Sequence, residues 1–129
     1  MKPERVMGIA AVLMAIGIGI GALGSHALRA VLSPRQLASL ATAVDYQQVN
    51  ALGLLLVGVM MKNMALTGLR CVAWMLMAGI ICFSGGIYVM LAGAPGFLGL
   101  ITPVGGVLLI AAWSMLAWKL ITESLVNRF

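Results

Sequence analysis

Apolar residues in this chain come in long blocks rather than at regular intervals. Four blocks stand out, over 6–24, 44–61, 71–92 and 97–118. A helix that crosses a membrane needs about 20 mostly apolar residues, because each adds about 1.5 Å of rise across hydrocarbon about 30 Å thick. The second block is shorter in its apolar part, 49–61. It reaches spanning length only by taking in Val44–Gln48, which puts Asp45 near its end. Backbone amides in hydrocarbon must be paired within their own segment, so the blocks are predicted to be helices rather than strands. The expected fold is all-α and integral to the membrane: one domain, 1–129, forming an antiparallel four-helix transmembrane bundle. Only Gly93-Ala94-Pro95-Gly96 separates the last two blocks, and so short a connection makes them antiparallel neighbours.

Between the first two blocks, Ser33-Pro34-Arg35-Gln36 reads as a helix start. Ser33 can cap, Pro34 suits the first helical position, and Gln36 can return a bond to the cap. Leu37, Leu40, Ala41 and Val44 then mark one apolar face. This amphipathic segment is predicted to lie near the interface or to lead directly into the second span.

Composition narrows the class. The chain is 63% hydrophobic and 9% charged, with a mean hydropathy of +1.13. A soluble domain carries about 25% charged residues; disorder needs low hydrophobicity, and a disulfide scaffold needs many cysteines. The first apolar run exceeds the usual 7–15 residues of a cleaved signal, so it is expected to be retained.

The net charge of +5 comes from eight scattered Lys and Arg residues. They form no stripe, so no nucleic-acid partner is expected. Lys2, Arg5, Lys62, Arg70, Lys119 and Arg128 fall on one side of the threaded bundle, and Arg29 and Arg35 on the other. The positive-inside rule then predicts cytoplasmic N- and C-termini. Trp74, Trp113 and Trp118 are assigned to the cytoplasmic interface, where indole rings prefer to sit.

Several patterns resemble chemistry and have simpler explanations. Gly19-Ile20-Gly21-Ala22-Leu23-Gly24 is a literal GxGxxG, but a dinucleotide site requires a strand before it and a soluble helix after it. Gly17, Gly21 and Gly24 instead form a small-residue face for close helix approach, as do Gly105 and Gly106 in the fourth span. Whether Gly17 and Gly21 meet an internal helix or a second copy is left open by the sequence. Cys71 and Cys82 lie eleven residues apart on one helix, about 16 Å, too far to bridge. Met60, Met61 and Met64 have no His or Cys at ligand spacing, and one histidine with one aspartate is too small a set for zinc. No metal and no cofactor is expected.

The informative residues are the polar ones in or beside the spans: His26, Asp45, Tyr46, Gln47, Asn50, Ser84, Tyr88 and Thr102. An up-down-up-down threading puts all eight in the outer half of the membrane, with Asn50, Tyr88 and Thr102 at similar depth. Tyr46 and Asn50, four apart, share a face, and His26 or Arg29 is expected to pair with Asp45. Polar residues at such depth are functional candidates by default.

GALGSHAL over 21–28, TAVDYQ over 42–47, FSGGIY over 83–88 and TPVGG over 102–106 resemble the signatures of the YgdD-like family, small inner-membrane proteins of unknown function. The resemblance implies a bacterial inner (plasma) membrane protein with four spans and supplies no reaction, substrate or cofactor. Where that family usually has a histidine three residues after the Tyr-Gln pair, this chain has Asn50. With no nucleophile beside a base, the expected role is non-enzymatic: a homo-oligomer or an accessory subunit of a larger membrane complex, embedded in the lipid bilayer. The other reading is a binding or transport module for a small polar solute, proton or lipid headgroup.

Overall fold

The computed structural model describes residues 1–126, with side chains to Glu123; Arg128 lies outside the described residues. Four long helices follow one another: α1 (Pro3–Ser25), α2 (Pro34–Asn63), α3 (Leu69–Leu91) and α4 (Ile101–Val126). Short 3-10 turns, Leu28–Ala30 and Gly96–Leu100, precede α2 and α4. Among the described residues there is no strand. This is an all-α, four-helix membrane bundle.

Local chemistry sets the helix ends. Pro3 starts α1, where a missing N–H costs nothing. At α2, the Gln36 amide N–H donates to Ser33 Oγ at 3.2 Å, and the Ser33 N–H donates to Gln36 Oε1 at 2.9 Å. That reciprocal pair closes a capping box. The amphipathic stretch is therefore the first part of α2 itself and runs unbroken into the second apolar block. Gly68 enters α3 at φ 80°, a left-handed turn that favours glycine.

Three of the helices are long and apolar enough to cross a membrane: α1, α3, and α4 with its preceding turn. α2 carries more polar residues and occupies the middle of the array, packed by α1 on one side and α3 on the other, while α4 packs on α3. This placement explains how a less apolar helix is tolerated. Gln47 and Asn50, in its middle, turn toward protein, where bonds can be made.

One half of the bundle is a dry core. Val6 and Ala10 of α1, Leu54 and Val57 of α2, Val72 and Leu76 of α3, and Leu109 and Ala112 of α4 are buried together. That half ends in Lys2, Arg5, Lys62, Arg70 and Lys119; the opposite end has Arg29 and Arg35. Close approach between helices is made at glycines. A Cβ at Gly105 would strike the backbone of Cys82 and Phe83, and one at Gly79 would press on Leu109. On the other seam, Gly17, Gly21 and Gly24 face Gln48, Val44 and Leu40, so the glycine face of α1 meets the internal helix α2. Gly106 has only ordinary contact with the Phe83 ring.

Candidate functional site

The face of α2 that matters is Ala43, Gln47, Asn50 and Leu54, buried at every position. These residues recur at intervals of three or four and so line one side of a helix. Gln47 is 3% exposed and Asn50 5%. The Gln47 amide bridges two neighbours: its Nε2 donates to the Leu13 carbonyl of α1 at 2.7 Å, and its Oε1 accepts the Tyr88 hydroxyl of α3 at 2.6 Å. Gly17 lies beside this amide: a Cβ there would stand 3.2 Å from Gln48 Cγ and 3.4 Å from Gln47 Cδ and Nε2.

One turn further along, Asn50 Oδ1 accepts the Trp113 indole N–H at 2.8 Å, and Asn50 Nδ2 donates back to the Tyr46 carbonyl at 2.8 Å. The Trp113 ring lies over Gly53, whose missing side chain is the space the ring fills. Ser84 Oγ donates to the Ala43 carbonyl at 2.7 Å while 1% exposed. Thr102 Oγ1 reaches the Phe83 carbonyl at 3.4 Å, across the gap left by Gly86. Among the described residues, no buried side-chain nitrogen or oxygen lacks a partner.

Gln47, Asn50, Ser84, Tyr88 and Thr102 are thus tied to α2 or to the α3–α4 seam, and three of the eight polar candidates are not part of this network. Tyr46 is 47% exposed; its ring meets Phe83 edge-on at 4.5 Å, and only its backbone carbonyl meets Asn50. The shared face runs through Gln47 and Asn50, not Tyr46 and Asn50. His26 caps the C-terminus of α1 and is exposed, and Asp45 is exposed too. The expected ion pair of Asp45 with His26 or Arg29 is not formed: among the described residues, the only ion pair is Lys62–Glu4 at 3.4 Å. Arg29, on the 3-10 turn after α1, and Asp45, on α2, line the same cleft.

Trp113 also departs from its assigned place. α4 continues past Trp118 to Val126, which leaves Trp113 near the helix middle with its N–H turned inward to Asn50. Trp74 and Trp118 are 57% and 70% exposed. Asn50 itself stands near the middle of α2. The bonded groups therefore extend from mid-bundle toward the end that carries Arg29 and Arg35, and do not occupy one level. The sequence reading did not join Trp113 to Asn50 and gave no role to Gly53 or Gly86. The usable signal was Gly53 three residues after Asn50: a glycine beside a buried amide admits a large donor.

Residues 20–106 match the model of a protein family described as a protein of unknown function, DUF423. The chain belongs to the DUF423 family. Its relatives there include the UPF0382 membrane protein SH2409 of Staphylococcus haemolyticus, 35% identical over 90% of this chain and 93% of the relative. The UPF0382 membrane protein SSP2132 of Staphylococcus saprophyticus is 37% identical over 90% of this chain and 94% of its own length. YwdK of Bacillus subtilis, another UPF0382 membrane protein, is 34% identical over 90% and 94%. No solved structure matches the chain. The four motifs noted in the sequence fall within or across the matched region, and membership makes this an uncharacterised membrane protein.

Proposed function

We propose that this DUF423 member is a non-enzymatic subunit of a membrane assembly, acting as a homo-oligomer or as an accessory to other membrane chains. In this reading it resides in the bacterial inner (plasma) membrane, as the YgdD-like resemblance implies. Its termini are cytoplasmic, because most of the Lys and Arg residues gather at their end of the bundle.

The observation that carries the reading is the closure of the internal network. Gln47 is bonded at both ends of its amide, Asn50 likewise, and the hydroxyls of Ser84 and Tyr88 are each spent on a neighbouring helix. Such groups hold helices together and offer no acid, base or nucleophile to a substrate. The outward face of α1 supplies a means of association. Gly8, Ala11, Ala15 and Gly19 are exposed at spacings of three and four, on the side of the helix opposite Val6, Ala10 and Gly17. A Cβ at Gly8 or Gly19 would meet nothing within 4 Å. Small residues at this spacing let two membrane helices approach closely.

The test is extraction of the full chain from native membranes in a mild detergent, followed by sizing and identification of copurifying chains. A Gly19→Leu variant is expected to shift the particle to smaller mass while its helix content stays unchanged. A strictly monomeric particle with no copurifying chain overturns the proposal.

A further inference from the structure

At the outer end of the bundle, α1, the turn after it and the start of α2 enclose a half-open cleft of about 370 Å³. That volume falls in the roughly 300–1,000 Å³ range of small-ligand sites. Gly21 and Gly24 of α1 and Leu40 and Val44 of α2, which pack against each other, line the cleft together with Arg29 and Asp45. The two charges share one cleft without touching, since no nitrogen–oxygen contact within 4 Å joins them among the described residues.

Depth sharpens the point. Gly21 lies against Val44, so in this antiparallel pair Asp45 stands level with Ile20, five residues from Ser25, or about 7.5 Å below the end of α1. Asp45 therefore stands within about one and a half turns of the end of α1, where a carboxylate gains from a cation brought to it. Arg29, on the turn above, offers a planar donor fork suited to phosphate or carboxylate. A ligand bearing one charge would serve only one of these side chains.

We infer that the cleft between α1 and α2 binds a zwitterionic group, with its ammonium on Asp45, its phosphate or carboxylate on Arg29, and its short linker against Leu40 and Val44. The chemistry is shared by an aminophospholipid headgroup and by a free solute such as phosphoethanolamine. This goes beyond the assembly role and needs no partner chain.

The full-length chain in detergent micelles is titrated with phosphoethanolamine, and separately with ethylammonium and inorganic phosphate, while its thermal unfolding is followed. In parallel it is placed in nanodiscs containing phosphatidylethanolamine or phosphatidylglycerol. The expected result is stabilisation by the zwitterion in at least one arm, exceeding that from either single-charge half or from phosphatidylglycerol. A response in the lipid arm alone identifies a headgroup, and a response to soluble phosphoethanolamine identifies a free solute. Arg29→Gln and Asp45→Asn should each weaken binding about tenfold, the loss of one charge-assisted contact. Their unliganded unfolding midpoints should match the parent, because neither side chain bonds to the bundle.

Equal stabilisation by inorganic phosphate or ethylammonium alone overturns the inference, and so does the absence of a response in both arms. Unchanged binding by both variants does the same. The comparison of zwitterion with its halves uses the parent chain, so it stands even if a variant fails to fold.

Discussion

The middle of the bundle and the rim that carries Arg29 use polar residues to opposite ends. Gln47, Asn50, Tyr88 and Trp113 are locked to one another or to backbone carbonyls, and the network is closed. Arg29 and Asp45 face a common cleft and remain unbonded to each other. The difference follows from depth. A polar group in hydrocarbon must find its partner within the protein, whereas a group at the rim can take its partner from water, headgroups or a ligand. Burial with complete bonding therefore marks structure, and opposed charges without mutual contact mark a place for something else.

The largest effect should come from the α3–α4 seam on which the network rests. Gly105→Leu puts a side chain where the Phe83 backbone lies and is expected to destabilise by about 3 kcal/mol or more. Thermal unfolding in detergent would report it, and an unchanged midpoint would mean that the seam opens at no cost. Next comes Gln47→Leu, which removes both bonds and strands the Tyr88 hydroxyl; the expected loss is about 1–3 kcal/mol. Adding Tyr88→Phe should recover part of it, since removing both partners costs less than orphaning one. Failure of the double variant to recover would show that the two side chains are not coupled.

Trp113→Phe deletes the donor to Asn50 and withdraws part of the ring that covers Gly53. A loss of about 0.6 kcal/mol is expected, the mean for such bonds between membrane helices; fluorescence-independent unfolding, by circular dichroism, is the suitable measurement. The smallest effect is at the end of the molecule away from the cleft. Lys62→Ala breaks the ion pair with Glu4, but both partners are more than half exposed, and such pairs contribute little. The unfolding midpoint should stay where it is in low and high salt alike.

Much of the architecture could be read before any coordinates. Four apolar blocks predict four helices because hydrocarbon leaves the backbone no other way to pair its amides along a single segment. The capping box at Ser33 and Gln36 is local chemistry, carried by residues three apart, and it was legible for that reason. The candidate site was less legible. Tyr46, Gln47 and Asn50 lie within five residues of one another on the chain, and periodicity alone did not say which side of α2 would be covered. The packing of α1 and α3 on either side of α2 selected the Gln47–Asn50 face and left Tyr46 to rest on Phe83. Trp113 looked like an interfacial indole because the fourth apolar block stops near Trp118, while the helix itself runs on to Val126.

What the sequence alone determined is the medium and the elements: its hydropathy demands lipid, and its segment lengths and caps demand helices, since both depend on neighbours along the chain. Only the tertiary structure decided the partners. It set Gln47 between Leu13 and Tyr88, opened Gly53 to the Trp113 indole of a different helix, and brought Arg29 and Asp45 to line one cleft. The reason is physical. A hydrogen bond or a cleft between helices depends on their register and rotation, which are set by the summed packing of whole helix faces and by no single local residue.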